Sequence, residues 1–244
     1  MSAALPLFAA TRGGPEKAGK LGGLPAARPE TLNERVPAGR LSELSGAVSS
    51  GRMTAAVSLV IRAQEQDEPV VWVQPEDGAL YPPDLAESGV DLEALVVVRV
   101  PLRGRAASAR GGARAGRGAG RRGAGQRGQV TRSVGGDLAR AAELLLRSGA
   151  FGLVVVDLGR SRPRGGAWQG RLAALARQHE SRVVLLSEGE DAAPSLGPMV
   201  GLRIAPSRHR RGPGRFVIEH RVLKDKVGGG VPQPDRRRAP WGLA

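Results

Sequence analysis

Gly46-Ala47-Val48-Ser49-Ser50-Gly51-Arg52-Met53-Thr54 has the glycine spacing of a phosphate-binding loop, G-x-x-x-x-G-K-[S/T]. In such a loop the glycines let backbone N–H groups close round phosphate oxygens, a lysine reaches the terminal phosphates, and the next hydroxyl holds magnesium. Here Arg52 stands at the lysine position and Met53 at the hydroxyl position. A guanidinium still attracts phosphate, but as a wide planar fork instead of a point charge. A thioether is a poor ligand for a hard cation that prefers oxygen. Thr54 brings a hydroxyl one residue later, which on a helix lies about 100° further round and points away from the metal position. The nucleotide-binding candidates are therefore Gly46, Ser49, Ser50, Gly51, Arg52, Met53 and Thr54, in a loop whose chemistry is eroded.

Before the loop, Leu41-Ser42-Glu43-Leu44 alternates as a strand does; after it, Val57, Val60 and Ile61 have helical spacing across residues 53–64. Strand, loop, helix is the setting a phosphate loop requires. Val70-Val71-Trp72-Val73 and residues 95–98 read as buried strands, with a short helix over 84–88 closed by Gly89 between them. Asp137 stands where it can cap a helix over 138–148, whose Leu138, Ala141, Ala142, Leu145 and Leu146 make one apolar face and which Gly149 ends. Leu153-Val154-Val155-Val156-Asp157 is an apolar strand ending in a carboxylate, the form that faces the crevice at the carboxyl ends of a parallel sheet, so Asp157 joins the candidates. A helix over 168–179 and a fifth strand, Val183-Val184-Leu185-Leu186, follow. Alternating strands at 200–204 and 215–222 flank the turn-rich Arg210-Arg211-Gly212-Pro213-Gly214. This order predicts an α/β fold, a mainly parallel sheet flanked by helices with an antiparallel hairpin at its edge.

The chain of 244 residues has room for one ordinary core plus tails. Residues 1–36 lack sustained periodicity and read as a disordered N-terminal segment, residues 37–227 as the core, and residues 228–244 as a flexible C-terminal tail. The net charge of +14 is unevenly placed: residues 103–129 hold eight arginines and no acid, leaving +6 for the rest. Residues 103–132 therefore read as a disordered Arg/Gly-rich insert within the core. Its Arg110, Arg114, Arg117, Arg121, Arg122 and Arg127 could neutralise nucleic-acid phosphates in a sequence-independent, salt-sensitive way, but with no aromatic residue it cannot stack on bases. A solvated surface insertion is the plainer alternative. The absence of cysteine excludes a disulfide framework and a thiolate metal site, and His179, His209 and His220 lack ligand spacing, so no metal site is expected. No apolar run approaches the ~18 residues of a membrane span, and the start MSAALPLFAATRGG has no basic region like that of a secretory signal. The expectation is a cytoplasmic protein without a membrane partner, its charge compatible with nucleoid association.

Taken in order, these parts resemble the RecA recombinase core over roughly residues 36–228. GRLSELSGAVSSGRMT resembles that family's strand and phosphate loop. WVQPEDGALYPPDLAESGVDLEAL resembles the segment carrying its water-activating glutamate, which implies a catalytic role for Glu76. LLRSGAFGLVVVDLG resembles the strand whose aspartate attends the nucleotide, implying that role for Asp157, with ATP and magnesium as the cofactors. RVLKDKVG resembles the stretch that supplies two lysines to the neighbouring filament subunit, here Lys224 and Lys226. The connections that hold the family's two DNA-binding loops, here 158–167 and 189–198, are short, Ser187-Glu188 replaces the polar sensor after the fifth strand, and the polymerisation helix is not recognisable. Shortened, degenerate chains of this kind are similar to the ImuA-type accessory proteins of damage-induced mutagenesis. That resemblance implies an adaptor in DNA repair and SOS translesion synthesis, working with a RecA filament and a Y-family-like polymerase partner and touching DNA weakly and non-specifically.

Other readings stand beside this one. The chain could be a DNA-dependent ATPase using Arg52, Glu76 and Asp157, or a DNA-binding protein acting mainly through its arginine insert. The glycine loop could serve only a tight strand-to-helix turn, and Glu76 and Asp157 could be polar residues left at strand ends. Lys224 and Lys226 alternate on a strand and share a face, as an interface pair or as a solvated edge that deters aggregation. Trp241, beside the Arg236-Arg237-Arg238 run, is a candidate partner anchor.

Overall fold

Runs of valine and leucine without alternation are buried on both faces, which suits only the interior of a helix-covered sheet. In the computed structural model, which describes residues 31–101 and 134–238, the buried strands are β1 (Leu41–Gly46), β2 (Val70–Pro75), β4 (Leu153–Gly159) and β5 (Arg182–Glu188), whereas β3 (Leu95–Val100), read from the sequence as buried, lies at the sheet edge with Val96 and Val97 exposed. β6 (Val200–Gly212), β7 (Arg215–Asp225) and β8 (Asp235–Arg238) complete one eight-stranded sheet in the order β3-β2-β4-β5-β1-β6-β7-β8. The strands from β3 to β6 in that order run parallel, and β6, β7 and β8 pair antiparallel. The fold is thus α/β, with the mainly parallel sheet and antiparallel edge hairpin that the sequence predicts.

Helices cover both faces. α1 (Leu32–Arg35), α2 (Arg52–Gln64) and α3 (Pro82–Glu87) close over one face, where Leu44, Leu59, Trp72 and Leu202 are buried together. α4 (Val134–Arg147) and α5 (Ala167–Gln178) close over the other, on Leu41, Leu138, Leu172 and Leu185. From β1 the chain passes through α2 to β2, beyond β5 and β4, and later returns from β5 to β6 on the opposite side of β1. This reversal of direction opens a crevice at the carboxyl ends of β4, β5 and β1, where α/β sheets hold ligands.

Several expectations need correction. The N-terminal segment read as disordered to residue 36 becomes ordered by Thr31, whose hydroxyl accepts the Glu34 N–H while the Glu34 carboxylate accepts the Thr31 N–H, a reciprocal capping box. Leu32 and Val36 are buried, and Arg35 donates to the Gly228 carbonyl and to Asp225, both at 2.8 Å. The C-terminal tail read as flexible from residue 228 contains β8, whose four residues pair with Arg215 to Ile218 of β7. β1 does not alternate in burial: all six of its residues are buried, because its two faces are both covered. Asp137 lies in the first turn of α4 instead of capping it, since the helix begins at Val134 and runs through two glycines. A Cβ on Gly135 would sit 2.9 Å from the Pro163 nitrogen, so the helix start is built to pass close to that loop. α3 likewise begins two residues early, at Pro82, a residue suited to a first helical turn. The insert 103–132, with Arg110, Arg114, Arg117, Arg121, Arg122 and Arg127, and Trp241 in the tail lie outside the described residues.

α4 is fastened to α5 by Glu143, which is only 2% exposed and contacts Arg147 at 2.7 Å, Arg171 at 2.9 Å and Arg140 at 3.2 Å. Burial by itself would push this carboxyl up, but the hydrogen bond and charge of Arg171, joined by Arg140 and Arg147, outweigh it and hold Glu143 below its usual value. A carboxyl depressed on folding adds stability above its unfolded pKa, and that stability is lost as pH falls through the folded one. Glu143→Gln is therefore expected to lower the thermal midpoint at pH 7, with the gap from the natural protein closing in melts below about pH 4. For the docked N-terminal helix, Leu32→Ala is expected to cost about 2–3 kcal/mol in urea unfolding; an unchanged midpoint would mean that α1 is not docked.

Candidate functional site

The crevice is built where three neighbouring strands end: β4 with Asp157, β5 with Glu188, and β1 with the 46–51 loop. Gly51 adopts φ +91, a left-handed conformation open to glycine, and turns the chain into α2 as its N-cap. The Ser50 N–H closes on the Ala47 carbonyl at 3.1 Å. The Ser50 side chain folds back over Gly46, where an added Cβ would lie 2.4 Å from its Oγ. Ser49 is exposed at the loop tip. The loop is therefore filled by its own side chain where a phosphate-binding loop is open.

Arg52 points the same way. Its Nη1 donates to the Gly46 carbonyl at 2.6 Å, and its Nη2 faces Glu188 Oε2 at 3.7 Å. Glu188 in turn contacts Arg160 at 2.6 Å. Arg52 is 6% exposed, so its charge is held inside the turn. Met53 packs against the hydrophobic core instead of facing the crevice. Thr54 is half-buried in the first turn of α2, its carbonyl accepting from the Ser58 hydroxyl at 3.0 Å.

Asp157 is buried, and its Oδ1 accepts the Gly159 N–H at 3.1 Å. Burial pushes its carboxyl above the usual aspartate range, beyond what the Gly159 hydrogen bond and the Arg52 charge recover, and Glu188 adds to the rise. Arg52 and Asp157 thus share one electrostatic neighbourhood. Glu76 is exposed after β2, tied by its backbone to the Val100 carbonyl at 3.0 Å, and its carboxylate makes no hydrogen bond or ion pair among the described residues.

A cavity of about 940 Å³ lies beside the loop. Its wall carries Glu188, Glu190, Asp191 and Glu219 against Arg160 and Arg221, and Arg221 is paired with Asp191. A nucleotide triphosphate would meet more carboxylate than guanidinium there. With Arg52 bonded to Gly46, Ser50 over the glycine and a thioether at the metal position, the residues present do not fit a magnesium nucleotide. Among the described residues no cluster of three or more His, Asp or Glu side chains is placed to hold a metal ion.

The polar residues that organise the crevice were not singled out from the sequence. Glu43 and Arg203 are register partners on β1 and β6, 3.7 Å apart, and both are buried. Glu43 accepts hydrogen bonds from Ser187 Oγ at 2.7 Å, Ser195 Oγ at 2.9 Å and the Leu196 N–H at 3.0 Å. Arg203 donates to Ser45 Oγ at 2.9 Å and to the carbonyls of Ala193 and Glu190. The signal was present as a charge in the middle of each apolar run, Ser42-Glu43-Leu44 and Leu202-Arg203-Ile204, but the pairing needed the strand order.

Lys224 and Lys226 join this network. Lys224 Nζ donates to the Gly197 carbonyl at 2.9 Å and Lys226 Nζ to the Pro198 carbonyl at 3.1 Å, so both are engaged within the chain. Burial, with the neighbouring Lys226 charge, pushes the Lys224 ammonium below its usual value. Gln169 of α5 donates to the Leu196 carbonyl at 2.6 Å. The 189–198 segment is therefore pinned from β1, β6, β7 and α5.

Asp157 offers a test of what the crevice is for. A carboxyl raised on folding carries an ionisation cost that is absent below its unfolded pKa and grows as pH rises through the folded value. Asp157→Asn, which keeps an acceptor for Gly159, is expected to raise the thermal midpoint at pH 7 and to match the natural protein below about pH 4. A lower midpoint at pH 7 would show that the ionised carboxylate is needed by the fold.

No protein-family profile matches the chain, and no curated protein is significantly similar to it. Among the described residues no helix is long and apolar enough to cross a membrane.

Proposed function

We propose that this chain is a RecA-like accessory protein of the DNA-damage response, an adaptor in damage-induced translesion synthesis whose crevice does not turn over ATP. The observation that carries the reading is the inward Arg52 guanidinium, held by the Gly46 carbonyl and facing Glu188 in the place where a phosphate-binding loop presents its cation. A phosphoryl-transfer site depends on cations directed at the phosphates and on a metal bridging them. Here the cation is turned to a carbonyl, and the metal position holds Met53.

Two further features favour an adaptor over a filament-forming enzyme. Lys224 and Lys226, the residues matched to those that reach a neighbouring subunit, are engaged within the chain on the Gly197 and Pro198 carbonyls. The 189–198 segment, matched to a mobile DNA-binding loop, is fastened to the buried Glu43 and Arg203. What such a chain keeps is a folded surface, and its partners under this reading are a RecA filament and a Y-family-like polymerase.

Purified protein is expected to show ATP hydrolysis indistinguishable from a protein-free blank, with and without single-stranded DNA, and to co-sediment with RecA filaments. Turnover stimulated by DNA, unchanged in an Arg52→Lys, Met53→Thr double variant, would overturn the non-catalytic reading. Failure to associate with filaments or polymerase would overturn the adaptor reading.

A further inference from the structure

β6 and β7 continue as a hairpin past the helix-covered part of the sheet, and β8 adds a third strand along its outer side. From Ser207 to Arg211 every residue of β6 is exposed, whichever way it points, while Ile218 and His220 of β7 are buried at its root, so the ribbon is open on both faces only toward its tip. Its strands carry Arg208, Arg210, Arg211, Arg215, Arg236 and Arg237, against the carboxylates of Glu219 and Asp235.

Register distributes these charges over both faces. Arg210 pairs with Phe216 and Phe216 with Arg237, while Val217 pairs with Arg236 one position on. Cross-strand partners share a face and successive residues alternate, so Arg210 and Arg237 lie on one side, with Arg215 and Arg236 on the other. On the second side a groove of about 660 Å³ is flanked by Arg211, Arg215 and Arg236.

Arg237 is engaged, donating to Ser58 Oγ on α2, but the charges that rim the groove are available. The side chains of Arg215 and Arg236 are exposed and make no hydrogen bond or ion pair among the described residues. Arg211 reaches Glu219 at 3.4 Å with both side chains largely exposed, a contact of little strength. Asp235 is turned inward, 3.6 Å from the buried His220. Arg208 covers the Phe216 ring at 5.0 Å, so that ring is not free to stack on a base. Guanidiniums on both faces with no free aromatic suit phosphates flanking the ribbon on two sides, as in a duplex, better than an unstacked single strand.

We propose that the β6–β7–β8 ribbon binds the phosphate backbone of double-helical DNA, independently of the arginine-rich insert. The inference does not rest on the RecA-like reading, because it needs only the placement of these side chains. The test is fluorescence anisotropy of the full chain with a labelled duplex of about 20 base pairs and with one of its strands, over a series of salt concentrations. The variant is Arg211→Ala, Arg215→Ala, Arg236→Ala, made also in a chain lacking residues 103–129. In both chains the triple variant is expected to weaken duplex binding about tenfold or more and to reduce the slope of log K against log salt by about 2–3. The corresponding triple lysine variant is expected to keep the slope. Should the alanine variant lose its fold by circular dichroism, Arg236→Ala alone gives the reading, with a slope reduced by about 1. Unchanged duplex affinity and slope would overturn the proposal. So would loss of all duplex binding on insert deletion alone, or an effect confined to the single strand.

Discussion

Burial of one carboxylate and one guanidinium inside the sheet constrains much of what surrounds them. Removing a pair such as Glu43 and Arg203 from water costs several kcal/mol per ion unless the remaining lone pairs and N–H groups all find partners. Ser45 of β1 and Ser187 of β5 supply only part of them. The balance is met by Ser195, by the Leu196 amide and by carbonyls of the 189–198 segment. The charged pair therefore fixes the course of a connection that would otherwise lie loosely on the surface. It also explains why two lysines of β7 and its end turn toward carbonyls: the pinned segment presents them in a fixed place.

The same principle acts at the mouth of the crevice, with a different outcome. Arg52 lies where desolvation is severe, and its charge is met by the Gly46 carbonyl and by Glu188, which Arg160 in turn contacts from solvent. Cations and anions here are matched within the chain, leaving no surplus positive charge for a ligand. At the far end of β6 the reverse holds, since arginines exceed carboxylates and the side chains of two, Arg215 and Arg236, have no partner among the described residues. Charge that the interior cannot carry unpaired accumulates where water can solvate it, and only that charge can attract a large anion.

The legibility of the sequence followed the same division. Strands β2, β4 and β5 were readable because valine and leucine runs have few alternatives, and α4 and α5 because their apolar residues recur with helical spacing. α1 was missed because four residues give no periodicity, and its position depends on Arg35 reaching Asp225 and Gly228, nearly the whole chain away. β8 was missed because Asp235-Arg236-Arg237-Arg238 has the composition of a tail; it forms a strand only because β7 offers an unpaired edge. For the crevice, the sequence indicated which residues converge, Gly46 through Arg52 with Asp157, but not which way Arg52 points. That direction is set by the Gly46 carbonyl, to which Arg52 donates at 2.6 Å, with Glu188, a residue read only as a replaced sensor, facing it at 3.7 Å.

Packing, with the left-handed φ of Gly51, accounts for the two glycines of the loop. A side chain at Gly46 would collide with Ser50, and one at Gly51 would meet Ile218 Cδ1 at 2.8 Å and Arg208 Cβ at 3.4 Å. Ile218 and Arg208 are register partners at the root of the arginine ribbon. The loop is thus the seat on which that ribbon rests, and its spacing is required whether or not a phosphate ever enters. A strand-to-helix turn of this form can lose its lysine and its hydroxyl without loss of structure, because what the fold asks of it is close approach to β7. The crevice and the ribbon are two ends of one contact, the first closed by internal pairing and the second held out toward solvent by the turn that the first retains.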